Sequence, residues 1–116
     1  MKEINKNIAN NIKNYMDVLG ITQLDLAKRL ECSNSTISMW IRGNSTPRID
    51  KIDRMCEIFK CSRSDLLSDK VKTPEEIKNA QLLSVFIEKF DNLEDGMKLR
   101  LLAYMDRMER FQETDQ

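Results

Sequence analysis

The sequence predicts an all-α chain: five short helices in a compact N-terminal part, then a two-helix extension. Three observations predict it. Apolar residues recur at three- and four-residue intervals and nowhere alternate over a strand's length. Only three Gly and two Pro among 116 residues leave little material for hairpins, while Leu, Ile, Met, Lys and Glu favour helices. The periodic runs are punctuated by residues that start or stop helices, namely Gly20, Thr22, Ser33, Gly43, Ser62 and Thr73-Pro74.

The first helix is expected over residues 4–19, from the stripe Ile4, Ile8, Ile12, Met16 and Leu19 on one face. Asn5, Asn7, Asn10, Asn11 and Asn14 fill its other faces, so packing rather than propensity must hold it. Gly20 ends it. Thr22 opens a second helix, with Asp25 as a short-armed capping-box partner and Leu26, Ala27 and Leu30 facing inward. After a turn at Glu31-Cys32, Ser33 caps a third helix that runs to about Arg42, with Ile37, Trp40 and Ile41 on its inner face. Asn44 to Pro47 form a loop. A fourth helix carries Ile49, Ile52, Met55, Cys56 and Phe59, and Ser62 or Ser64 caps a short fifth that ends in Leu66-Leu67.

Residues 69–73 read as a linker between a domain at 1–68 and a helical segment at 74–116. Thr73-Pro74-Glu75-Glu76 is a strong helix start, with the proline at the first helical position. Two helices follow, about 74–90 and 94–111. The second spaces Met97, Leu101, Tyr104, Met108 and Phe111 by 4, 3, 4 and 3, a two-heptad seam that wants a partner helix.

Composition bounds the function. At 13.6 kDa the chain holds one domain, or one small domain with an appendage. No window approaches 18 uncharged apolar residues, and the start, Met1-Lys2-Glu3-Ile4-Asn5, lacks the apolar run of a signal peptide, so no membrane association is expected. Three unpaired-looking cysteines fit a reducing compartment, which places the protein in the cytoplasm. The net charge is zero overall. Residues 1–68, however, carry eleven basic and eight acidic residues (+3), and residues 69–116 carry eight and eleven (−3). That asymmetry suggests a division of labour.

Two short helices joined by a tight turn, the second capped by Ser33 and polar on its outer face, describe a helix-turn-helix. Over residues 12–67 the chain resembles the phage repressor and Cro type of helix-turn-helix domain, the XRE family. The matching residues are Ile21-Thr22-Gln23, Leu26-Ala27, Ser33-x-x-Thr36-Ile37-Ser38, Arg42-Gly43, Pro47 and Ser62-x-x-Asp65-Leu66-Leu67. The resemblance implies a five-helix, lambda-repressor-like domain whose third helix lies in the major groove of double-stranded DNA. It implies base-reading positions at Asn34, Ser35, Ser38 and Met39. It also implies DNA-backbone positions at Gln23, Thr36, Arg42, Asn44, Ser45, Thr46 and Arg48, with Gln23 bracing the recognition helix.

The residue chemistry agrees. With Ile37, Trp40 and Ile41 inward, Ser35, Ser38, Met39 and Arg42 share the outer face. Asn suits adenine, Ser serves several bases, Met lies against a thymine methyl, and Arg42 and Arg48 supply charge for phosphates. Two departures from the family pattern stand out. Glu31 takes the turn position where relatives often carry glycine, so it must tolerate a strained or shifted turn. Met16 and Ile41 replace the Arg and Glu that many members pair, so Met16 is expected to pack on Ile41.

Other chemistries find little support. With no histidine, no glycine-rich phosphate loop and no nucleophile motif, the chain is not expected to be an enzyme. Cys32, Cys56 and Cys61 read as small core side chains, with no metal or cofactor implied. Residues Met97, Leu101, Tyr104, Met108 and Phe111 are expected to pair two copies, because a two-fold operator needs two domains about 34 Å apart. The resulting expectation is a regulator, most simply a repressor, that binds a near-palindromic operator as a homodimer. An antitoxin-like or adaptor regulator, whose C-terminal helices hold a regulatory protein partner, is the alternative.

Overall fold

The computed structural model describes residues 2–114, with side chains from 6 to 113. Among the described residues there are seven helices and no strand: α1 (Lys2–Leu19), α2 (Gln23–Leu30), α3 (Asn34–Ile41), α4 (Ile49–Phe59), α5 (Arg63–Leu67), α6 (Pro74–Asp91) and α7 (Asp95–Thr114). The all-α expectation holds. The chain forms two compact units, Met1–Leu82 and Leu83–Gln116, which divide inside α6.

In the first unit, α1 packs on α3 and α5 through Ile8, Ala9, Ile12, Tyr15 and Met16, all buried. The side chain of Ile4 lies outside the described residues. Tyr15 is absent from the expected stripe. It stacks on Phe59 of α4 with centroids 5.1 Å apart and planes 6° apart. The asparagines also need correcting. Asn11 does not fill an outer face but is 2% exposed, and its amide donates to the carbonyl oxygens of Leu66 (2.7 Å) and Ser68 (2.8 Å). Buried amides persist only when bonded, and here the bonds satisfy carbonyls at the C-terminal end of α5 that the helix itself leaves open.

A hydroxyl caps the starts of α2, α3, α5 and α6, whereas α4 starts at Arg48 with no side-chain cap. The Asp25 N–H donates to Thr22 Oγ1 (3.1 Å), while the Asp25 carboxylate turns to Arg29 (3.2 Å) rather than completing a box. Ser62, not Ser64, caps α5, in a full capping box with Asp65. Thr73 and Glu76 bond reciprocally at the start of α6, the Thr73 N–H to Glu76 Oε1 (2.9 Å) and the Glu76 N–H to Thr73 Oγ1 (3.1 Å). Glu31 ends α2 in the left-handed conformation, φ 56° and ψ 49°, and Lys60 ends α4 the same way. The first turn of α4 is a further correction: Ile49 is 55% exposed, while Ile52, Met55 and Phe59 are buried and Cys56 and Ile58 pack half-buried against the core.

α6 belongs to both units. Ile77 is 1% exposed in the first unit's core, and the Gln81 amide donates to the carbonyl of Phe59. In the second unit, Phe86 stacks on Phe90 (5.6 Å) and the Lys98 ammonium sits 5.3 Å over the Phe90 ring. No side chain from 83 to 113 is buried.

Candidate nucleic-acid interface

The site is built on α3, a helix with one anchored side. Ile37 (0% exposed) and Trp40 (5%) fix it in the core, and half-buried Ile41 packs against that core. Its start is fixed by Ser33, whose hydroxyl accepts from the Thr36 N–H (3.1 Å) and lies within bonding distance of the Thr36 (2.9 Å) and Ser35 (3.1 Å) hydroxyls. The cap therefore orients two polar side chains as well as satisfying a backbone donor. At the other end, the Asn44 N–H donates to the carbonyl of Met39 (2.9 Å) and Gly43 turns the chain at φ 77°. Buried Pro47 seats the loop that follows.

What remains of α3 points outward. Asn34, Ser35, Met39 and Arg42 are exposed, and Ser38 is half-buried among them. Positions 34, 35, 38, 39 and 42 occupy one helical face, opposite Ile37 and Trp40. The structure thus brings the four expected base-reading residues onto a single surface. The Arg42 guanidinium lies over its own helix end, with Nε 3.4 Å from the Ser38 carbonyl.

The expected backbone residues flank this face. Asn44, Thr46 and Arg48 are exposed and Ser45 is half-buried, all in the loop that leaves α3. Arg48 pairs with Asp50 at 3.4 Å, but its side chain is 86% exposed, so the pair contributes little and yields readily to a phosphate. Thr36 is half-buried within the Ser33 cap. Gln23, exposed at the first position of α2, lines a crevice with Met16, Ile21, Thr22 and Ile41, which sets it beside the end of α3. No hydrogen bond joins Gln23 to α3 among the described residues. Met16 and Ile41 both line that crevice.

The cysteines sit on the other side of the question. Cys32, Cys56 and Cys61 are reduced and half-buried, packed against the core. Burial pushes the Cys61 thiol up to about 12, and it raises Cys56, Cys32 and the Tyr15 hydroxyl as well. Thiols held protonated are poor nucleophiles and poor ligands. Among the described residues no group of three or more Cys, Asp or Glu is placed to hold a metal ion. No helix among them is long and apolar enough to cross a membrane.

Sequence reasoning missed Asn11, Tyr15 and Gln81. For the first two a signal existed, because 8, 11, 12, 15 and 16 continue one helical face and an amide or a phenol on such a face is a buried group with a bond to make. Gln81 had none, because its acceptor is a helix-end carbonyl 22 positions away.

A family model described as helix-turn-helix matches residues 12–66. No curated protein and no solved structure matches the chain. The match covers α2, α3 and the core that seats them, and its first residue, Ile12, is the wholly buried centre of α1. Residues 12–66 are thus a helix-turn-helix domain of the XRE type, the kind of domain that DNA-binding transcriptional regulators carry.

Proposed function

We propose that the protein represses transcription, binding a near-palindromic operator as a homodimer in the cytoplasm. The carrying observation is the outer face of α3, where Asn34, Ser35, Ser38 and Met39 stand together on a helix anchored by Ile37 and Trp40. Such a face offers amide and hydroxyl groups to base edges and one thioether to a thymine methyl. Gln23, Thr36, Arg42, Asn44, Ser45, Thr46 and Arg48 hold the flanking phosphates in this reading. Repression follows from occupancy, since a dimer lying across a promoter excludes polymerase.

Pairing is proposed through α7. Met97 (49% exposed), Tyr104 (53%), Met108 (57%) and Phe111 (71%) are exposed along α7. A segment in which no side chain from 83 to 113 is buried cannot hold itself together by burial. Two such segments packed face to face make a helical bundle with a core of its own.

Sedimentation of the full chain, with Leu101→Asp and Met108→Asp together as the variant, tests this. The expected result is a dimer for the unaltered chain, and a monomer for the variant that binds duplex DNA more weakly. A dimer that survives both substitutions overturns the assignment of α7. A monomeric full chain that dimerises on no DNA favours the alternative, an antitoxin-like or adaptor regulator whose C-terminal helices hold another protein.

A further inference from the structure

Beside the end of α3 lies a second crevice, walled by Lys6, Ala9, Asn10 and Lys13 of α1 and by Ile41, Arg42 and Gly43. Its floor is apolar or backbone, from Ala9, Ile41 and Gly43. Its rim is cationic: Lys6, Lys13 and Arg42 are exposed, with the Asn10 amide between them, and no carboxylate lines it. Elsewhere in this unit Arg29, Arg48, Arg54, Arg63 and Lys72 each sit in an ion pair. Among the described residues no acid pairs with Lys6, Lys13 or Arg42. Asp17, one turn beyond Lys13, lines the neighbouring crevice and makes no ion pair with it.

We propose that this crevice is an anion site for the DNA backbone, with Lys6, Asn10 and Lys13 holding phosphodiesters beyond those reached from α3 and its loop. The assignment rests on the DNA-binding reading of α3 and extends it to a helix that reading leaves as mere support. Arg42 belongs both to the outer face of α3 and to the crevice rim, so a strand in contact with Arg42 passes directly onto α1. Lys6 and Lys13 stand two helical turns apart, about 10 Å along the axis. That compares with about three base-pair rises along the duplex axis, at about 3.4 Å each. Unpaired lysines flanking an amide match the donors that position proteins on phosphates without reading sequence. Grouping three cations with no internal acid costs stability through repulsion, and a polyanion removes that cost.

The test is the salt dependence of full-chain binding to a mixed-sequence duplex. Each phosphate contact contributes about 0.9 to the slope of log affinity against log salt. Lys6→Gln with Lys13→Gln should make the slope shallower by about two for each bound domain. Lys70→Gln with Lys78→Gln, the same charge change at exposed positions outside the crevice, should leave it nearly unaltered. Arg42→Ala reports on the α3 reading itself. A shallower slope for Arg42→Ala together with an unchanged slope for the α1 pair overturns this site and leaves the DNA-binding reading standing. Equal losses from both lysine pairs also overturn it, since they would reflect net charge alone. An unaltered chain that binds no duplex even at low salt overturns both readings.

Discussion

At the residue scale, Glu31 shows how this chain departs from the usual helix-turn-helix pattern and at what cost. Glu31 closes the turn between α2 and α3 at φ 56°, a conformation that costs a residue with a β-carbon about 1–2 kcal/mol and glycine almost nothing. Glu31→Gly should therefore stabilise the domain by up to about 1 kcal/mol, after the entropy that glycine adds to the unfolded chain is deducted. Chemical denaturation measures it, and a destabilised variant would show that the glutamate side chain contributes something beyond the turn. Titration is the second theme. Hydrogen bonds from Arg63 hold the Asp53 carboxyl below its ordinary 3.8, and the Thr73 backbone N–H holds Glu76 below its ordinary 4.5. Groups with depressed values contribute stability above their unfolded values and lose it as pH falls through the folded ones. Stability should therefore decline from about pH 5 downward and, with no histidine to titrate, stay level from there to about pH 8. A thermal-melt series across pH checks this; a step between pH 6 and 7 would contradict it.

At the scale of elements, the outline was legible and the joins were not. Spacing and caps placed the helix starts to within about two residues, because most starts here carry a hydroxyl at a fixed offset, while α7 runs to Thr114, three residues past its expected end. Ser33 and its offset to Thr36 marked the start of α3 for the same reason. The path of α6 could not be read this way. Its sequence begins with a strong cap after a polar stretch, which suggests a separate segment, yet Ile77 is 1% exposed in the first unit's core. Which core an isoleucine enters is decided by tertiary packing. Truncation after Leu82 should consequently leave a stable monomeric domain. Truncation after Lys72 removes Ile77 and the Gln81 bond, and should lower stability by about 2–4 kcal/mol from lost apolar burial and one hydrogen bond. Circular dichroism melts of the two truncations decide it, and equal stability would mean that α6 contributes nothing to the domain.

At the scale of the whole molecule, two units carry two kinds of surface. The first buries an ordinary core and turns polar donors outward on α3; the second buries no side chain from 83 to 113 and turns apolar groups outward. The split of charge, +3 over residues 1–68 and −3 over 69–116, runs the same way and suits the proposed division between a DNA-facing and a protein-facing part. The proposed base-reading set of Asn34, Ser35, Ser38 and Met39 is short-armed, so sequence preference should be soft and rely partly on DNA shape. Useful affinity would then depend on engaging two half-sites at once. Enrichment of bound duplexes from a random-sequence pool, for the full chain and for Met39→Ala, tests that α3 reads the bases. The expected result is a two-fold symmetric site with half-sites about one helical turn apart, and a changed preference at one base pair per half-site in Met39→Ala. An identical enriched site for both proteins, or no enriched site at all, would contradict it.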